Sequence, residues 1–120
     1  MYLIDTHVVS EARKQSRANA GVIDFFKQAC AQDQSIYLFV VTVGEVRRGV
    51  EILRHRGNEL QRGLLERWLA DGVGNYADNI LAFDAEAAQV SGRLRVPHPE
   101  HILVKQIAAI ALVNDLTVVT

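Results

Sequence analysis

The chain has 120 residues, enough for one hydrophobic core and too few for two. Its composition, 49% hydrophobic and 22% charged, is that of an ordinary globular domain and excludes a disordered or fibrous chain. A net charge of −1 excludes nucleic-acid binding driven by bulk charge, and no apolar run is long enough to span a membrane. An acid at position 5 also interrupts the one N-terminal stretch that could open a signal peptide. The single cysteine, Cys30, excludes an internal disulfide, fits a reducing cytoplasm, and reads as a small packed apolar residue.

Met1 to Ile4 is a short apolar run that predicts a strand buried on both faces, as in the middle of a parallel sheet. Val8 to Lys14 reads as a short helix, Gln15 to Asn19 as a polar connection, and Gly21 to Ala31 as a helix. The apolar side of that helix carries Val22, Ile23, Phe25, Phe26 and Ala29. Ser35 to Val41 is rich in β-formers and predicts a second buried strand. Thr42 then opens a helix through Val46, Val50 and Leu53 that ends near Gly57. A further amphipathic helix runs from about Glu59 to Ala70, with Leu60, Leu64, Leu65, Trp68 and Leu69 inward. Ile80 to Phe83 is a third strand, and Asp84 caps a helix from Ala85 to Leu94. Pro97-His98-Pro99 breaks the chain, helix resumes from about Glu100 to Val113, Asp115 turns, and Leu116 to Thr120 is a fourth strand. Strands alternating with helices imply right-handed crossovers and a parallel sheet between helical layers, in one domain spanning residues 1–120.

Two acids follow buried strands. Asp5 ends the first, where parallel sheets bind ligands, and Glu45 follows the second in the first turn of its helix. Each also has a structural reading. Asp5 can cap the next helix, and Thr42-Val43-Gly44-Glu45 has the form of a capping box. If both carboxylates face one crevice they repel, and a hard cation such as Mg²⁺ is the usual remedy, since it takes oxygen ligands and bridges to phosphate. Arg47, Arg48, Arg54, His55, Arg56, Arg62 and Arg67 lie close in sequence, as a solvated face offset by Glu51 and Glu59 or as a phosphate-contacting strip.

Ile4-Asp5-Thr6, Thr42-Val43-Gly44-Glu45-Val46-Arg47-Arg48-Gly49, and Gln106-Ile107-Ala108-Ala109 ahead of Leu116 to Thr120 together resemble the PIN-domain ribonucleases. More narrowly, they resemble VapC, the toxin of VapBC toxin–antitoxin pairs. The resemblance runs through all 120 residues in the same order and spacing. It implies a three-layer α/β/α sandwich with a central parallel sheet. It also implies a cytoplasmic Mg²⁺- or Mn²⁺-dependent endoribonuclease that cuts structured RNA of the tRNA or rRNA class. The implied partner is a VapB-like antitoxin that blocks the site, so that DNA is contacted only through the antitoxin, and a homodimer is a further option. The surface expected to meet a partner comprises Val8 to Ala31 with the apolar sides of the helices between Thr42 and Ala70.

Carried over by position, Asp5 matches the first family acid and Glu45 the second, both as catalytic metal ligands, with Thr6 and Thr42 supporting them. Arg47, Arg48 and Lys105 are the implied RNA contacts. The departures concern the same site. The third acid falls at Val104, whose isopropyl group cannot ligate a metal. The fourth belongs after the last strand, past Thr120, so residues 1–120 are expected to lack the end of the family domain. His7 stands where Asn is common and Phe39 where a serine often stands. Glu100, His98 and His101, one turn before Val104, offer at most weak compensation. The expectation is therefore a VapC-like toxin with impaired RNA cleavage. The alternative is a catalytically silent PIN-fold module that engages an antitoxin or RNA without cutting. A different Mg²⁺-dependent phosphate-handling domain fits less well, because the chain has no Gly-rich phosphate loop.

Overall fold

The computed structural model describes residues 1–120. Its sheet has four short strands, β1 (Tyr2–Ile4), β2 (Ile36–Phe39), β3 (Ile80–Leu81) and β4 (Thr117–Val119), all parallel and in the order β3-β2-β1-β4. Six helices connect them: α1 (Thr6–Ala12), α2 (Ala20–Ala31), α3 (Val40–His55), α4 (Glu59–Asn75), α5 (Ala85–Leu94) and α6 (Ile102–Asn114).

Period-two alternation along the strands divides the interior into two cores. Tyr2, Ile4, Ile36, Leu38 and Val119 face one side and pack with Val8 and Val9 of α1, Val46 and Val50 of α3, and Leu65 and Leu69 of α4. Leu3, Tyr37, Phe39, Leu81 and Val118 face the other side and pack with Ala87 of α5 and Ile110 and Ala111 of α6. The result is the expected α/β/α sandwich. Chain direction explains which helix lies where. The chain steps outward from β1 to β2 to β3 with α1 to α4 on one face, then returns across the sheet to β4 on the far side of β1. Right-handed crossovers put α5 and α6 on the opposite face. The direction reverses between β1 and β4, and the crevice beyond that seam is where such sheets bind ligands.

Local signals set most boundaries. Asp84 accepts the Ala87 N–H at 2.9 Å to start α5, as the sequence predicts, and Asn19, read from the sequence only as part of a polar connection, accepts the Gly21 N–H at 2.8 Å to start α2. Gly57 ends α3 at φ 73°, a left-handed conformation that costs glycine little. Asp115 turns the chain into β4 at φ 54°, a conformation in which aspartate is over-represented.

Four expectations are corrected. β2 ends at Phe39 and α3 begins at Val40, so Thr42 lies inside the first turn and caps nothing; Phe39 is the capping residue and makes no side-chain bond. Glu45 consequently sits in the second turn of α3, not the first, and no capping box forms. Leu60 and Leu64 point outward, with Leu60 73% exposed, because α4 packs chiefly on α3 and buries Leu65 and Leu69 instead. Cys30 is exposed while its neighbour Ala29 takes the buried position on α2.

The α3–α4 hairpin carries an ion-pair network. Arg47 binds Glu66 at 2.9 Å, Arg54 binds Glu51 at 2.5 Å, and Arg62 binds Glu59 at 2.9 Å and also Glu66. The hydrogen bond from Arg47, helped by the charges of Arg62 and Arg54, holds the Glu66 carboxyl below its ordinary range, and Glu51 holds the Arg54 guanidinium above its own. Three of the seven basic residues of the strip, Arg47, Arg54 and Arg62, are thus neutralised internally, while Arg48, His55, Arg56 and Arg67 make no ion pair.

Candidate active site

Asp5 directly follows β1, and its backbone N–H donates to the Val119 carbonyl at 3.1 Å, which fixes it at the β1–β4 seam. Its side chain caps α1, Oδ1 accepting the His7 N–H at 2.5 Å. The capping role foreseen for Asp5 is therefore real, and it leaves the second carboxylate oxygen for other work. The next residue, Thr6, places its Oγ1 3.0 Å from Oγ1 of Thr42. Thr42 is only 2% exposed, so this hydroxyl pair ties the start of α1 to the first turn of α3 inside the core.

Glu45 lies three residues past Thr42, on the same side of α3. It is half-buried and makes neither an ion pair nor a hydrogen bond through its side chain. With Ser10 and Arg13 of α1, it lines a cleft of about 150 Å³ whose floor includes Gly49 and Trp68. Both acids thus sit on segments leaving the carboxyl edge of adjacent strands, flanking the Thr6–Thr42 contact.

Val104 is in the first turn of α6. A helix leading into a parallel strand runs back along the sheet, so α6 begins at the carboxyl edge, and Val104 there is 63% exposed. Glu100 pairs with His98 at 3.6 Å, and nowhere do three His, Cys, Asp or Glu side chains gather as a metal-holding group. The suggested compensation for Val104 by Glu100, His98 and His101 therefore does not form.

Of the expected RNA contacts, Arg47 is committed to Glu66 and, at 3.7 Å, Glu51; Lys105 donates to the His98 carbonyl; Arg48 is exposed and unpaired. Ser10 and Arg13 were not singled out from the sequence. The available signal is helical spacing, since Thr6, Ser10 and Arg13 follow at four and three residues and share one face of α1.

On the same side of the sheet, α1, α2, α3 and the end of α4 enclose an apolar groove of about 500 Å³, lined by Val9, Val22, Phe26, Val43, Trp68 and Tyr76 among others. It overlaps the region expected to meet a partner and extends past it to the end of α4 and to strand residues Ile36 and Leu38.

No family model matches the chain. It is 31% identical over 126 residues to Toxin FitB of Neisseria gonorrhoeae, an alignment covering all of this chain and 86% of that protein. Among solved structures, it superposes on the crystal structure of VapBC2 from Rickettsia felis bound to a DNA fragment from its promoter. That superposition has a TM-score of 0.68 and 17% identity, over 99% of this chain and 85% of that one, and it shows the shared fold. With the parallel sheet and this relative, matched along the whole chain, the chain belongs to the VapC-type PIN-domain toxins.

Proposed function

We propose that the chain is a Mg²⁺- or Mn²⁺-dependent endoribonuclease toxin for structured RNA of the tRNA or rRNA class, with cleavage weakened by Val104. The observation that carries this reading is the placement of Asp5 at the β1–β4 seam and of Glu45 one turn beyond the Thr6–Thr42 contact. Mg²⁺ commonly keeps several waters and is held by one or two carboxylates together with substrate phosphate, so the pair suits an open site rather than a closed cage. When bound, such an ion supplies charge neutralisation at the phosphodiester and a more acidic water. Asp5 and Glu45 would hold it, the α1 cap fixing the Asp5 rotamer through His7. The Thr6–Thr42 pair sets the spacing of the two helices, and Arg48 reaches solvent as one contact for the RNA backbone.

The partner in this reading is a VapB-like antitoxin seated in the apolar groove, with DNA reached only through that complex. The groove's size and the chain's open shape support it. The radius of gyration is 15.3 Å, against about 13.6 Å for a compact chain of this length. Val104 equally favours a second reading, a silent module that binds antitoxin or RNA without cutting.

One experiment separates the two. Purified protein is incubated with structured RNA in Mg²⁺ or in EDTA, beside Asp5→Ala and Glu45→Gln. Slow cleavage that needs the metal and both acids supports the ribonuclease. RNA left intact by a protein that still binds its antitoxin supports the silent module, and cleavage that survives either substitution overturns the site.

A further inference from the structure

We infer that Arg13 holds a phosphate of the RNA backbone beside Glu45, an inference that rests on the ribonucleic-acid reading above. The cleft shared by Ser10, Arg13 and Glu45 is the starting point. Two carboxylates at one sheet edge repel a polyanion, so an RNA strand approaching them needs a cation close by that is free to turn toward it. Six of the thirteen lysines and arginines are already engaged. Arg47, Arg54 and Arg62 are spent on Glu51, Glu59 and Glu66, Lys14 on Glu11, Lys105 on the His98 carbonyl and Arg95 on the Pro99 carbonyl.

Arg13 is different. Its side chain makes no ion pair and no hydrogen bond, and it shares a cleft with a site acid. Arg17, Lys27, Arg48, Arg56, Arg67 and Arg93 are unpaired as well, but none of them lines the cleft that holds Glu45, and Lys27 lines the apolar groove. The backbone of Arg13 is well held: it closes α1, with its N–H donating to the Val9 carbonyl at 3.3 Å. The helix that begins at Asp5 therefore ends at Arg13, and the two are joined by a short rigid rod. A guanidinium so placed presents a fork of donors matched to two phosphate oxygens, with the Ser10 hydroxyl one turn back as a further donor.

The bland role for Arg13 is a favourable charge at the carboxyl end of α1, which would affect stability and not RNA. The test measures both. The probe is a fluorescein-labelled RNA hairpin in EDTA, so that nothing is cleaved, with anisotropy read across a salt series. Arg13→Gln is expected to weaken binding and to lower the slope of log K against log salt by about one, while Arg13→Lys keeps the slope. Arg95→Gln, at a cation outside the site, should leave the slope unchanged, and all variants should melt within a few degrees of wild type. Wild-type binding with an unaltered slope in Arg13→Gln overturns this inference alone. Failure of the wild-type protein to bind the hairpin overturns the RNA reading and this inference with it.

Discussion

Replacing Val104 by aspartate is the most informative single change. The side chain is 63% exposed, so only about a third of its apolar surface is lost from packing, a cost under about 1 kcal/mol. Against that, the first turn of α6 contains no acid, and a carboxylate there gains about 0.3–1 kcal/mol from the helix dipole. The two contributions nearly cancel, so Val104→Asp should melt close to wild type, and any change in activity will not be a folding effect. The functional change should be much larger. Groups around a metal typically alter affinity or activity by about 10- to 100-fold when removed, and an added direct ligand should act at least as strongly in the opposite sense. Mn²⁺ titration followed by electron paramagnetic resonance, alongside cleavage of a structured RNA in Mg²⁺, would show tighter metal binding and faster cutting. Asp5→Ala placed on top should remove both gains. The reasoning is refuted if the unmodified protein already cuts RNA efficiently and Val104→Asp changes neither metal affinity nor rate.

Three further outcomes follow from the packing and charge. Leu3→Ala, at a fully buried position of the central strand, should cost about 3–5 kcal/mol in chemical denaturation, whereas Leu60→Ala at the surface should stay within about 0.5 kcal/mol. Thr42→Val keeps the shape and removes one hydroxyl, so stability should move by no more than about 1.5 kcal/mol while Mn²⁺ affinity falls, and Thr42→Ser should restore it; unchanged affinity in Thr42→Val would show that the Thr6 bond positions nothing. Glu66, its carboxyl held low chiefly by Arg47, contributes stability that is present above the ordinary glutamate range and lost as pH falls through its depressed folded-state value. Glu66→Gln should therefore flatten the acid limb of the stability–pH curve.

The fold class was legible because its signals are local. Continuous apolar runs marked the buried strands, and Asp84 and Gly57 marked helix ends where the structure has them. Strand order was not legible, since nothing in the run Met1–Ile4 says that β4 lies beside it; that is a fact of tertiary pairing. The same limit explains the misplacement of Thr42. Its sequence has the form of a capping box, but the hydroxyl finds a partner from another segment, and the helix starts two residues earlier. Leu60 and Leu64 misled for a related reason: helical periodicity identifies an apolar stripe without saying how much of it the neighbouring helix covers. Arg13 was hidden because its neighbour Glu45 is distant in sequence, although the spacing from Thr6 was there to be read.

The strand order also has a consequence for synthesis. β1 is the first strand to leave the ribosome, yet Tyr2 pairs with Thr117 on one side, and the Asp5 N–H is satisfied only by the Val119 carbonyl. A nascent chain can assemble β1, β2 and β3 with α1 to α4 while the seam that carries Asp5 is still open, because its second wall has not been made. Pairings this distant in sequence form late and slowly. The β1–β4 seam therefore closes only as translation reaches β4, and chains released before Thr117 is made should lack it.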